Sequence, residues 1–198
     1  MITQDNGSIQ SAQIEMSHYY KGGSIGVIVS GMVWLSIAII SIKYNTQLAV
    51  WSLLIGGIFI HPLSLLICRI IAKKATKLVN NVCNQLAIQS TFFMVVCIPL
   101  AYGLSFQRIE WFFLAMMLII GGRYFTFVTI YGNKLYWLLG IVLVIMAYLL
   151  FKIKAVSSVI LLISGLIEIL VGLLLFYQFK KTNQSFVRNS SCRINSTQ

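Results

Sequence analysis

Charged residues are scarce in this sequence. They make up 10% of the 198 residues, whereas a typical soluble domain has about 25%, and only four of them are acidic. Hydrophobic residues account for 59% of the chain. A soluble domain with this composition would have too little polar surface to cover its outside, so the composition predicts a protein solvated by lipid.

Paired cysteine motifs and an apolar leader are also missing. The four cysteines, Cys68, Cys83, Cys97 and Cys192, form no CxxC pair and show no spacing typical of metal ligands. We therefore expect isolated reduced thiols, with neither a metal site nor a cofactor. The polar N-terminus contains no apolar h-region, which argues against a cleavable signal peptide.

Long apolar runs are what the sequence does contain. A membrane-spanning helix needs about 20 mainly apolar residues, and six runs qualify: 24–42, 48–68, 86–104, 110–131, 135–151 and 155–177. The runs are continuous rather than alternating, which favours helices over a β-barrel. The predicted fold is therefore an all-α membrane protein, a bundle of six transmembrane helices with short connections.

This interpretation divides the chain into three parts. A polar N-terminal segment covers 1–22, the six-helix transmembrane domain covers 23–178, and a polar, disordered C-terminal tail covers 179–198. The tail is predicted to be disordered because it is rich in serine and asparagine and contains few apolar residues.

The net charge of +11 is distributed unevenly between the two sides of this bundle. Six spans put both termini on one side, which carries ten cationic residues: Lys21, Arg69, Lys73, Lys74, Lys77, Lys134, Lys180, Lys181, Arg188 and Arg193. The other side carries four: Lys43, Arg108, Lys152 and Lys154. The positive-inside rule predicts that both termini are cytoplasmic. The excess charge then indicates topology and binding of anionic lipids at the cytoplasmic face, rather than nucleic-acid binding.

Three ionisable side chains lie inside the predicted spans: His61, Arg123 and Glu168. Each lies about 13 residues, or about 20 Å, from the start of its span, so the three are at a similar depth. Burying such groups in a bilayer is costly, and each therefore needs a reason. An ion pair between Arg123 and Glu168 is geometrically feasible, and His61 could join it.

Glycine spacing indicates which way Glu168 points. Gly165, Glu168 and Gly172 share one helical face, and small residues allow close helix packing, so Glu168 is expected to face the bundle. Three interpretations remain open for Glu168 and Arg123: a structural ion pair that fixes helix register, a role in transport or proton relay, or no contact at all.

Two further motifs each have two interpretations. Gln85 and Gln89, one turn apart, could line the cytoplasmic mouth of a pathway or satisfy interhelical hydrogen bonds. The string from Gly22 to Gly26 matches G-x-S-x-G, which suggests a serine nucleophile at Ser24 with His61 as its base. We favour a helix cap at Ser24, because His61 would lie deeper in the membrane, and we expect no enzyme.

Three segments resemble a family of small bacterial integral membrane proteins catalogued as a domain of unknown function: GGIFIHPLS (56–64), NQLAIQSTF (84–92) and EWFFLAMMLIIGGRYFTFVTIYG (110–132). The likeness covers residues 22–176, and its most specific part comprises Gly122, Tyr124, Phe127, Tyr131 and Gly132. At Arg123 the family pattern has histidine, and at Thr126 it has proline. The resemblance implies a multi-pass protein of the bacterial inner membrane and implies no activity.

The sequence therefore leads to two functional hypotheses. The first is a small, proton-coupled transporter or permease-like protein that uses His61, Arg123 and Glu168. The alternative is a non-transporting membrane protein that binds a partner subunit or lipid through its basic cytoplasmic flank. Small-residue helix faces would also suit a homo-oligomer. The substrate class is not predicted.

Overall fold

The computed structural model describes residues 3–71 and 82–195, and these residues form seven α-helices. They are α1 (Thr3–Tyr20), α2 (Ser24–Lys43), α3 (Thr46–Ile71), α4 (Val82–Ser105), α5 (Ile109–Tyr131), α6 (Leu135–Lys152) and α7 (Ser157–Asn195). A short 3-10 turn, Lys21–Gly23, joins α1 to α2. A helix suits such apolar sequences because it satisfies its own backbone hydrogen bonds in lipid.

Five helical segments are long and apolar enough to cross a membrane: Lys21–Lys43, Val82–Ser105, Ile109–Tyr131, Leu135–Lys152 and Ser157–Lys181. Each corresponds to one of the six predicted spans. The remaining predicted span, 48–68, falls within α3, of which Thr46–Gly57 counts as a shorter apolar helix. The described chain is thus a helical, multi-pass membrane protein.

The helices pair mostly as antiparallel neighbours. Short connections join α2 to α3, α5 to α6 and α6 to α7, and each of these pairs packs together. α5 also packs against α4. The closest association joins two helices far apart in sequence, α2 and α7.

Glycines explain how closely α2 approaches α7. A Cβ atom added at Gly31 would lie 2.7 Å from Ile169 Cγ1 and 2.9 Å from the carbonyl oxygen of Gly165. A Cβ atom at Gly172 would lie 2.7 Å from Ile28 Cγ1. Only a residue without a Cβ atom fits at these contacts, as in other membrane helix pairs with small interfacial residues.

Both terminal segments contain helical residues. The N-terminal segment forms α1, whose Met16 is buried against Cys83 of α4 and Ile130 of α5. The tail from 179 onward, predicted to be disordered, continues α7 as far as Asn195. The sequence of α7 has no proline and no glycine after Gly172, so no residue in it interrupts the helix.

Candidate functional site

Glu168 lies near the middle of Ser157–Lys181, the apolar segment of α7, and is fully buried. The hydroxyl group of Tyr124, on α5, donates a hydrogen bond of 3.0 Å to its Oε1 atom. The hydroxyl of Ser30, on α2, lies beside the same carboxyl group. The second oxygen, Oε2, has no hydrogen-bond partner among the described residues. The site is therefore a buried carboxyl group with one satisfied oxygen and one that can still take a proton or another donor.

The fold brings three helices to this carboxyl group. Gly165 and Gly172 hold the Glu168 face of α7 against α2, which places Ser30 beside the carboxyl group. Tyr124 reaches it from α5, so α5 and α7 are in register at this level. The side chain faces the bundle, as the glycine spacing predicts.

Arg123 lies next to Tyr124 in the sequence but faces α4. Its Nη2 atom donates to Thr91 Oγ1 at 3.0 Å and its Nη1 atom donates to Met94 Sδ at 3.6 Å. The guanidinium group lies 5.1 Å from the centre of the Phe127 ring, within the range of a cation–π contact. Its Nε atom has no hydrogen-bond partner in the described part of the chain.

Arg123 and Glu168 do not form the ion pair that the sequence made feasible, whereas Arg108 and Glu110 lie 3.9 Å apart and do pair. The reason is the rotation of α5 about its own axis. Successive residues of an α-helix point about 100° apart, so Tyr124 faces α7 when Arg123 faces α4. Matched depth predicted that the two charges could meet, but depth alone does not fix the face of α5 that meets α7.

A polar contact between α4 and α5 surrounds Arg123 and was missed by the sequence analysis. Thr126 Oγ1 donates to Ser90 Oγ at 3.0 Å, and Thr91 Oγ1 donates to the carbonyl oxygen of Ala87. The sequence did contain a signal for this contact, because Gln89, Ser90 and Thr91 are three consecutive polar residues inside a mainly apolar span. Interhelical hydroxyl contacts of this kind are common in membrane helix pairs.

Aromatic rings extend from Glu168 toward the turn before α2. The Tyr124 ring stacks on that of Tyr136 at 6.1 Å, and Tyr136 stacks on Tyr131 at 5.6 Å. The Tyr136 hydroxyl donates to the carbonyl oxygen of Gly22 at 2.7 Å. At Gly23, where φ is +73°, an added Cβ atom would lie 2.5 Å from that hydroxyl oxygen. The two glycines therefore form a turn that fits against this cluster.

The other candidate residues from the sequence do not contact the Glu168 carboxyl group within the described structure, or their side chains lie outside it. His61 belongs to α3 by its backbone, and its side chain lies outside the described residues. Gln85 and Gln89 are exposed on α4. Ser24 Oγ donates to the carbonyl oxygen of Lys21 at 2.8 Å, which is a local contact at the start of α2.

The apolar helices and the buried polar site together define a helical, multi-pass membrane protein. The chain belongs to DUF7010, a family of unknown function, whose sequence model matches residues 9–178. The match begins within α1 and ends within α7, so it includes every helix that contributes to the site. Comparisons with curated proteins and with solved structures found no match.

Proposed function

We propose that this protein is a six-span protein of a bacterial inner membrane that acts as a small proton-coupled transporter. Glu168 would be the group that gains and loses the proton. The observation that carries the proposal is the buried carboxyl group whose Oε2 atom lacks a partner among the described residues. α3 would supply the sixth span, and the ten-to-four distribution of cationic residues would place both termini in the cytoplasm.

The chemistry of the site suits a coupling group. An ionised carboxylate inside a bilayer needs compensating donors or a cation, and the neighbouring hydroxyl groups of Tyr124 and Ser30 leave its Oε2 atom without a hydrogen-bond partner among the described residues. A proton on Oε2 would neutralise the carboxylate, so that neither a cation nor a further donor would be required. Exchange of that proton for a cation or for a donor group of a substrate would change the contacts between α5 and α7. Such an exchange is the minimum that proton coupling requires.

The geometry alters the role proposed for Arg123 and leaves that of His61 untested. Arg123 contacts Thr91 and Phe127 rather than Glu168, so it would act as a fixed positive charge between α4 and α5 and not as a direct counter-ion. Its unpartnered Nε atom leaves it able to contact an anionic group. A relay through His61 stays a prediction, because that side chain lies outside the described residues.

The alternative hypothesis, a non-transporting protein that binds a partner or lipid, depends on the basic stretch containing Lys73, Lys74 and Lys77. These residues lie outside the described part of the chain, so the geometry neither supports nor opposes that hypothesis. The expectation that the protein is not an enzyme also stays a proposal. The local hydrogen bond of Ser24 supports it, because the hydroxyl is used as a helix-start contact.

Flux measurements in proteoliposomes test the proposed role of Glu168. The purified full chain is reconstituted with a luminal pH dye, a pH gradient is imposed, and amino acids, sugars, organic anions and metal cations are added in turn. At least one solute should move protons with the wild-type protein, and Glu168→Gln should abolish that movement because an amide does not titrate. Glu15→Gln, which changes an exposed carboxylate on α1, is the matched control and should keep wild-type flux.

Infrared difference spectroscopy gives a second measurement that needs no substrate. Exposed carboxyl groups will also give C=O bands on a pH change, but the band of a buried carboxylic acid is shifted away from theirs. This shifted band should appear in the wild-type protein and in Glu15→Gln and should be missing in Glu168→Gln. The proposal fails if Glu168→Gln retains solute-driven proton movement. It also fails if no solute in the panel moves protons with the wild-type protein.

A further inference from the structure

A cavity of about 180 Å³ lies at the end of the bundle opposite α1, where the connections α4–α5 and α6–α7 meet. This volume is far larger than the roughly 10–15 Å³ that one water molecule needs by the same measure, so the cavity has room for a group of several heavy atoms. Leu114, Leu150 and the paired rings of Trp111 and Phe151 form its apolar part.

Three cationic residues and one acidic residue line this cavity: Arg108, Lys152, Lys154 and Glu110. Arg108 Nε lies 3.9 Å from Glu110 Oε2, and half of the Arg108 side chain is exposed, so this is a long and weak contact. Lys152 lies over the ring of Tyr148 at 5.6 Å. The local charge is therefore positive and is only partly offset by Glu110.

The position of these cations is unusual for the proposed topology. Short loops on the outer side of a bacterial inner membrane are depleted in lysine and arginine. Yet three of the four cationic residues predicted on that side line this one cavity, and only Lys43 lies elsewhere. Positive charge gathered around a cavity against the topological trend indicates a binding role.

The backbone adds two further features to the cavity. α5 begins beside it at Ile109, and within the described structure its N-cap residue, Arg108, makes no side-chain hydrogen bond to the first turn. The first-turn amide groups and the positive end of the helix dipole thus favour an anion. Lys154 has a φ of +51°, a conformation that is costly for any residue with a Cβ atom. This conformation belongs to the turn that ends α6, in which the amides of Lys154 and Ala155 donate to the carbonyl oxygens of Phe151 and Leu150, and it places Lys154 beside the cavity.

We infer that this cavity binds a phosphate group, either that of an anionic phospholipid or free inorganic phosphate. Lysine, arginine and helix-start amides are the donors that proteins use for phosphate oxygens. The apolar part with its tryptophan would contact the glycerol and upper acyl region of a lipid at the membrane interface. The inference does not depend on Glu168 or on transport.

Thermal unfolding of the purified full chain in detergent tests this site. Two titrations are compared: inorganic phosphate against chloride at equal ionic strength, and phosphatidylglycerol against phosphatidylcholine in the micelle. We expect stabilisation by at least one of the two phosphate probes. Stabilisation by inorganic phosphate assigns a free anion, whereas stabilisation by phosphatidylglycerol alone assigns a lipid headgroup.

The variant that decides the question is Lys152→Gln combined with Lys154→Gly. Glycine removes the charge and also relieves the positive φ at position 154, so this protein should fold, and the single variant Lys154→Gly should unfold at a higher temperature without ligand. The apparent affinity of the double variant for the active probe should fall about ten-fold or more, because charge-assisted hydrogen bonds are lost.

Lys43→Gln combined with Lys134→Gln is the matched control, since it removes two exposed charges that lie outside the cavity. Its affinity should stay within about two-fold of wild type, because distant exposed charges are screened. The inference is overturned if neither probe stabilises the wild-type protein. It is also overturned if the cavity variant binds as tightly as wild type, or if the control loses as much affinity as the cavity variant.

Discussion

Arg123 and Tyr124 are neighbours on α5 whose side chains meet different helices. Tyr124 donates its hydroxyl proton to Glu168 on α7, whereas Arg123 contacts Thr91 and Met94 on α4. The direct hydrogen-bond partners of each ionisable group are therefore neutral, and Arg123 and Glu168 interact with each other only electrostatically. Interhelical hydrogen bonds of this kind contribute only about 0.6–1.7 kcal/mol to stability in membranes, so neither contact holds its two helices rigidly together.

Double-mutant cycles in equilibrium unfolding distinguish the two contacts. Tyr124→Phe and Glu168→Ala should show a coupling of about 1 kcal/mol, because the cycle removes a direct hydrogen bond. Arg123→Gln and Glu168→Ala should show a smaller coupling, because these residues interact electrostatically but share no hydrogen bond. Tyr177→Phe, at an exposed tyrosine, is the control and should leave the free energy of unfolding unchanged. A large Arg123–Glu168 coupling would contradict the geometry described above.

At the scale of elements, the pairing of α2 with α7 depends on glycine at the contact. Gly31 and Gly165 lie against each other, and an added Cβ atom at either would come within 2.9 Å of the other's carbonyl oxygen. A backbone oxygen moves only if the helices separate. The same separation would also shift Glu168, which lies one turn from Gly165 on α7.

Two glycines of α2 give a matched test of this packing. Gly31→Ala should lower the free energy of unfolding by about 1–3 kcal/mol, the usual effect of overpacking a tight contact. Gly26→Ala should leave it unchanged or raise it by up to about 1 kcal/mol, because no described atom lies within 4 Å of the added Cβ and alanine favours the helix. Equal effects at the two sites would show that α2 and α7 do not meet at Gly31.

At the scale of the whole molecule, the two ends of the bundle differ in structure and charge. One end holds α1, whose Gln13 Nε2 donates to the carbonyl oxygen of Thr129 at 2.7 Å, and the aromatic cluster against Gly22. The other end holds the cavity lined by Lys152 and Lys154, for which we infer phosphate binding. Under the proposed topology the first end faces the cytoplasm.

Cysteine labelling of intact cells checks that topology. In a background with the four native cysteines replaced by alanine, a membrane-impermeant maleimide should label Lys43→Cys directly. It should label Lys134→Cys and Lys181→Cys only after permeabilisation, because both lie at the opposite end of the proposed bundle. All three side chains are exposed, so access differs only by the side of the membrane. Direct labelling of both Lys43→Cys and Lys181→Cys would indicate an odd number of spans, whereas direct labelling of Lys181→Cys without Lys43→Cys would indicate the reverse orientation.

The sequence by itself determined the number of apolar runs and the approximate position of the helices α2 to α7, but not the presence of α1. This is because lipid requires about 20 apolar residues per span and a self-satisfied backbone. It also determined that Glu168 faces inward, since Gly165 and Gly172 mark that face. It did not determine where the helix of α7 ends, because the polar tail carries no helix-breaking residue.

Only the tertiary structure decided which partner Glu168 receives. That choice depends on how far α5 is rotated about its axis and on α7 packing against α2, its distant neighbour in the sequence. Helical periodicity gives the faces of one helix relative to each other, but not the helix that each face meets. The cavity around Lys152 and Lys154 likewise forms only when the α4–α5 and α6–α7 connections come together, because each connection alone supplies part of its charge.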